Sequence, residues 1–155
     1  MAFPPYVAVV GPSQPDSEVR ALARAAGEAL AGRGWVVVTG GLGGVMAAAA
    51  AGAASAGGTV VGLLPGLDRA AASAGHSVVI PTGLGELRNG LLVRACNAVI
   101  AVGGSWGTQS EIALAVTNGI PVHVVAGWAQ QAPGTSAYDT VDDAVQALTE
   151  RLSGM

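Results

Sequence analysis

Residues 34 to 67 carry no charged side chain, and this stretch limits the folds open to the chain more than any other feature. A long uncharged apolar run is either a membrane span or the interior of a globular sheet. The glycines decide against the membrane. Gly40-Gly41-Leu42-Gly43-Gly44 and Gly57-Gly58 interrupt the run twice and leave pieces of strand, helix and strand length. The stretch therefore reads as the buried centre of a sheet, with no membrane as partner.

The rest of the chain repeats this pattern. Short, largely β-branched runs fall at 6–10, 35–39, 59–64, 77–80, 98–102 and 121–125. They are continuous rather than alternating, as in parallel strands buried on both faces. Helical stretches lie between several of them. One, at 16–31, places Val19, Leu22, Ala23, Ala26 and Leu30 on one side, with Asp16 or Ser17 as cap and Gly32 or Gly34 as terminator. Another, at 44–56, is mostly alanine with Val45 and Met46. Helices are expected to begin near Arg88 and near Thr108, and a last one spans 139–152 with Val141, Val145, Leu148 and Leu152 facing inward. Residues 127–137, including Trp128, Gln130, Gln131, Pro133 and Gly134, read as a loop. Alternation of this kind predicts one α/β domain over 1–155: a Rossmann-like doubly wound sheet, mostly parallel, with helices on both faces.

Composition bears on partners. Hydrophobic residues make up 51% and charged residues 11%, against roughly 25% charged in an average soluble domain. Little charge is left to cover the surface, and the helix at 44–56 has no polar face, which predicts a homo-oligomer, dimer or tetramer, with that helix near the interface. A net charge of −3 and a pI near 5.1 offer no basic stripe, so nucleic acid is not an expected partner. The single Cys96 and the absence of a basic-then-apolar leader at Met1-Ala2-Phe3-Pro4-Pro5 point to the cytoplasm. His76 and His123 have no metal-ligand spacing, and no metal site is expected.

The chemistry is expected where the strands end. Turn signals follow nearly every strand: Gly11-Pro12-Ser13, Thr39 to Gly44, Pro65-Gly66, Pro81-Thr82-Gly83, and Gly103-Gly104-Ser105-Trp106-Gly107-Thr108. In a parallel sheet these ends share one edge, where open α/β sheets bind ligands. Two of the loops run straight into helices; for either one alone the glycines suit tight strand-to-helix packing as well as a phosphate cradle of backbone N–H groups and helix dipole, and the two together favour binding. The candidate ligand-binding set is Gly11, Ser13, Gly40, Gly41, Gly43, Gly44, Met46, Gly103, Gly104, Ser105, Gly107 and Thr108. The spacing matches neither the dinucleotide fingerprint nor a P-loop. The ligand expected is a nucleotide or another small phosphate-bearing molecule.

Two charged residues join this set. Arg88 sits near a helix start, where the dipole disfavours a cation; either an anionic ligand gripped by its guanidinium or a surface pair with Glu86 relieves that conflict. Glu111 follows Thr108 by three residues, the spacing of a capping box, and is equally suited to face the crevice as a working carboxylate. Trp106, inside the glycine loop, either stacks on a base or packs on a neighbouring subunit.

Gly103-Gly104-Ser105-Trp106-Gly107-Thr108-Gln109-Ser110-Glu111, with Arg88-Asn89 and Gly40-Gly41-Leu42-Gly43-Gly44-Val45-Met46 upstream, resembles the LOG-like superfamily. That group includes cytokinin-activating phosphoribohydrolases and molybdenum-cofactor carrier proteins. The resemblance implies that Arg88 and Glu111 are the catalytic pair of a nucleoside 5′-monophosphate phosphoribohydrolase, which releases free base and ribose 5-phosphate without a cofactor. In those enzymes a Pro precedes the two glycines and a Lys follows the Arg; Val102 and Asn89 stand there here, and the glycine loop is one residue longer. The alternative the resemblance implies is a carrier that holds molybdenum cofactor or a similar ligand unchanged.

Overall fold

Seven strands form the sheet in this computed structural model, which describes residues 3–128 and 133–154. They are β1 (Tyr6–Val10), β2 (Val36–Thr39), β3 (Val60–Leu64), β4 (Val78–Pro81), β5 (Ala98–Val102), β6 (Val122–Val125) and β7 (Thr135–Tyr138). The order across the sheet is β4-β3-β2-β1-β5-β6-β7, and every neighbouring pair runs parallel. Among the described residues the α-helices are α1 (Ser17–Gly32), α2 (Val45–Ser55), α3 (Arg88–Arg94), α4 (Trp106–Thr117) and α5 (Val141–Ser153). Alternate residues of the central strands feed two cores. Val7, Val9, Val37, Ile100 and Val102 meet α1, α2 and α5 on one face, while Ala8, Val10, Val38, Val99 and Ala101 meet α3 and α4 on the other. The sheet is therefore doubly wound and Rossmann-like, as its unbroken apolar strands predicted.

Local signals set the helix ends. The Asp16 carboxylate accepts the Val19 N–H at 2.8 Å and caps α1. Thr140 caps α5 through the Asp143 N–H at 3.1 Å. Cys96 is buried in the second core, and burial pushes its thiol up to about 12, so it is a packing residue rather than a reactive one. Among the described residues no helix is long and apolar enough to cross a membrane.

One expectation needs correction. Part of the stretch read as a loop at 127–137 is a strand: β7 pairs with β6 from Val122↔Thr135 to Val125↔Tyr138. The reading missed it because Thr-Ser-Ala-Tyr is short, polar and on the sheet edge, where only one neighbour and a half-buried face shape the sequence. Tyr138 stacks on His123, with centroids 5.0 Å apart, and this contact ties the edge strand down. Gln130 and Gln131 of the same stretch lie outside the described residues.

Helix α2 packs on α1 and the sheet through Val45, Ala48, Ala49, Ala50, Gly52 and Ala53, while Met46, Ala47 and Ala51 stay half-buried and Ala54 exposed. The two helices touch backbone to backbone: a Cβ on Gly27 would strike the Ala49 carbonyl, and one on Gly52 the Arg24 carbonyl. The alanine-rich sequence of α2 is what this close approach requires. Large exposed apolar side chains gather elsewhere, at Leu67, Val78, Ile80, Leu84, Leu87 and Leu91 around β4 and α3.

Gly27→Ala tests the packing of α1 on α2. Alanine gains up to about 1 kcal/mol of helix propensity, but overpacking against backbone that cannot yield is expected to outweigh that gain. A net loss of about 1–3 kcal/mol in urea unfolding is predicted.

Candidate functional site

The strand order reverses between β1 and β5, so the loops that follow them diverge and open a crevice at the carboxyl edge of the sheet. Three loops meet there so closely that only glycine fits. A Cβ on Gly11 would strike the Val102 carbonyl oxygen and stand 2.6 Å from a Val45 methyl. At Gly44, where φ is +67°, it would stand 2.5 Å from the carbonyl oxygens of both Pro12 and Ser13. Gly103 faces Val19 at 2.8 Å and Pro12 at 3.1 Å, and Gly41 faces Leu64 at 2.7 Å. Gly11, Gly44 and Gly103 bring the loops together at Pro12, Ser13 and Val102, while Gly41 makes room for the Leu64 side chain. The Val45 N–H donates to the Pro12 carbonyl at 3.1 Å and ties the start of α2 to the β1 loop.

The remaining glycines of the predicted set do other work. Gly40 makes room for a guanidinium: a Cβ there would strike Arg88 Nη1 and lie 2.7 Å from Met46 Sδ. Gly104 makes room for Trp128, whose Cγ would be 2.7 Å away. Gly43 and Gly107 face open space, with nothing within 4 Å of the first and only Ser105 Oγ at 3.9 Å from the second. Both stand beside helix starts, and α2 has no side-chain cap at Gly44. The first N–H groups of such a helix have no carbonyl of their own to bond.

Arg88 belongs to this edge and not to the surface. It is 8% exposed, so the alternative of a surface pair with Glu86 is set aside. Its Nη1 donates to Asn89 Oδ1 at 3.0 Å, and its buried Nε has no hydrogen-bond partner among the described residues. Burial pulls the guanidinium below its ordinary value and the nearby Glu111 carboxylate raises it again. Glu111, 9% exposed, feels the converse: burial pushes its carboxyl up to about 7, against the pull of Arg88. The two groups are close enough to sense each other, yet desolvation dominates both.

The capping box read at Thr108 and Glu111 is not formed, because α4 begins earlier than expected. Ser105 is its cap, accepting the Thr108 N–H at 3.1 Å, and the Ser105 and Thr108 hydroxyls bond each other at 2.8 Å. Thr108 then occupies the box's third position and Glu111 lies a turn further on. Capping therefore does not account for Glu111. Thr108 and Glu111 share the buried face of α4 with Ile112 and Ala115. Trp106, the first residue of α4, packs edge to face on Trp128 of the same chain.

One cluster at this edge carried no sequence signal. Thr39 Oγ1 accepts the Gly41 N–H at 2.9 Å and meets His76 Nε2 at 2.6 Å, while His76 Nδ1 lies 2.9 Å from the Ser73 carbonyl. A carbonyl only accepts, so Nδ1 carries the proton and Thr39 donates to Nε2. This relay fixes the Gly40–Gly41 turn that flanks Arg88. Its members are separated by up to 37 positions along the chain, which is why spacing could not reveal it.

Glu111 makes the site sensitive to pH. Its folded-state value, about 7, lies above the ordinary 4.5. The protonated form thus stabilises the fold fully below about 4.5, and that contribution is lost as pH rises through about 7. Glu111→Gln is expected to remove this dependence and to raise stability above neutral pH by about 2–3 kcal/mol, read from urea unfolding at several pH values.

Comparison with known proteins adds to this geometry. The chain is 29% identical to the molybdenum cofactor binding protein of Rippkaea orientalis, with a TM-score of 0.91 over 98% of this chain and 99% of that one. It is 32% identical to the molybdenum cofactor carrier protein of Chlamydomonas reinhardtii, with a TM-score of 0.91 over 99% and 100% of the two chains. An uncharacterised protein of Archaeoglobus fulgidus is 42% identical over 113 residues, 73% of this chain and 74% of that protein. The model of the SLOG cluster4 family matches residues 4–151, and with the fold and glycine motifs described above the chain belongs to that family, within the LOG-like superfamily.

Proposed function

We propose that the chain binds a small phosphate-bearing molecule at the carboxyl edge of its sheet and carries it without transforming it, molybdenum cofactor being the first candidate. Arg88 supports this reading most. A guanidinium buried to 8% exposure beside Gly40, with Nε unpartnered, is a cation held out of water with too few acceptors. A phosphate supplies the missing charge and oxygens, and Arg binds such groups through two parallel hydrogen bonds. The open glycines Gly43 and Gly107 and the helix starts beside them extend the same preference for an anion. Likeness to two molybdenum cofactor proteins over nearly the whole chain favours carriage.

Glu111 supports a second reading, the phosphoribohydrolase. Its carboxyl, pushed up to about 7, is divided between its two forms near neutral pH. The charged form stabilises a positive anomeric carbon as the bond to the base nitrogen breaks; water then adds to that carbon and a proton passes to the base. We also assign a self-association surface to the exposed apolar residues around β4 and α3. Leu87 is 77% exposed, and Leu87→Asp is expected to shift the protein to a smaller species in sedimentation; an unchanged mass disproves the assignment.

Thermal shift and equilibrium dialysis with ribose 5-phosphate, AMP and a pterin monophosphate test the binding. All three are expected to stabilise the protein, and Arg88→Lys is expected to weaken each by about tenfold or more, since the planar fork is lost. An assay for free base after incubation with AMP separates the two readings. Retention of a pterin with no base released is the carrier; base release that Glu111→Gln abolishes is the hydrolase.

A further inference from the structure

Trp106 and Trp128 are the part of the ligand edge that the anion site leaves unexplained. Their rings meet with centroids 4.9 Å apart and planes at 85°. Trp128 rests on Gly104, brought there by a turn after β6 in which Ala126 takes φ +54°. That left-handed conformation costs an alanine about 1 kcal/mol, so the chain spends stability to seat the ring. Trp106 is nevertheless 82% exposed and Trp128 39%. A pair that only closed a loop would bury its largest surfaces. The edge-to-face contact leaves most of Trp106 uncovered, and Trp106 directly follows the Ser105 cap at the start of α4, on the edge that holds Arg88.

We propose that Trp106, braced by Trp128, is the stacking surface for a planar heterocycle carried by the phosphate-bearing ligand, the inference resting on the phosphate site proposed above. The phosphate is held by the glycine turns and Arg88, and the ring lies on the indole. Aromatic stacking accepts any flat π-face. The subsite therefore selects ring-bearing phosphates over ringless ones without choosing strongly between a purine and a pterin.

The test is dialysis of AMP, neopterin monophosphate and ribose 5-phosphate against the wild-type chain, Trp106→Ala, Trp106→Phe and Arg88→Lys. The wild type is expected to bind at least one ring-bearing phosphate about tenfold tighter than ribose 5-phosphate, with quenching of tryptophan emission. Trp106→Ala should erase that advantage, leave ribose 5-phosphate affinity and melting temperature unchanged, and be rescued largely by Trp106→Phe. Trp35, half-buried at the opposite edge ahead of β2, provides an emission unaffected by ligand. Arg88→Lys should weaken all three ligands by one factor and keep the ring advantage. The inference is overturned if the wild type prefers no ring, if Trp106→Ala preserves the preference, or if it weakens ribose 5-phosphate equally. It is also overturned if Trp106→Ala dissociates an oligomer without changing the preference, which makes the pair an interface. Failure of all three ligands to bind the wild type removes the phosphate site itself, and the stacking surface with it.

Discussion

The contact of Gly11 with the Val102 carbonyl, at the point where β1 lies beside β5, governs the rest of the ligand edge. With no side chain at Gly11, the loops after these strands come together beneath the start of α2, and Val45 fills the space a larger residue would take. Gly44 and Gly103 close the same junction from either side against Pro12 and Ser13. The closest contacts of Gly11 and Gly44 are with backbone carbonyl oxygens, so little of them can relax. Helices α2 and α4 consequently begin at fixed positions on one edge, and two positive dipole ends share one crevice.

Electrostatics follow from that packing. Arg88 enters over Gly40 because Gly40 offers no Cβ, and the Thr39–His76–Ser73 relay keeps the turn in place. The guanidinium is drawn away from water before any ligand arrives, and Glu111 is buried near it on α4. Desolvation works against both charges, lowering one group's affinity for protons and raising the other's. A site in this condition favours whatever restores the lost solvation: an anion beside Arg88, or positive charge beside Glu111. In both readings proposed above a phosphate supplies the first, and the hydrolase alone adds the second, at the anomeric carbon.

The residues of the strands and of α1 were legible because their signals are local. Four- to six-residue apolar runs read as parallel strands, Asp16 announces a cap, and glycine after nearly every one of those runs announces the ligand edge. The start of α4 was misplaced by two residues for an equally local reason: Ser105 and Thr108 are both good caps, and nothing in their order says which one the helix uses. That small error carried a functional consequence, since it made Glu111 look like a capping residue. Strand β7 was missed because an edge strand of Thr, Ser, Ala and Tyr resembles a loop until His123 is seen stacked on Tyr138.

By itself, the sequence determined the doubly wound class and the gathering of glycine turns on one edge, since each depends on near neighbours and on the strict geometry of parallel strands; it also singled out Arg88 and Glu111, which the fold buries near each other. Only the tertiary structure decided which glycines pack loops and which stand open, that α1 shelters α2, and that Trp106 meets Trp128. Those outcomes depend on distances between segments far apart in the chain, and burial, which sets the charge state of Glu111, is a property of everything around a residue rather than of the residue itself.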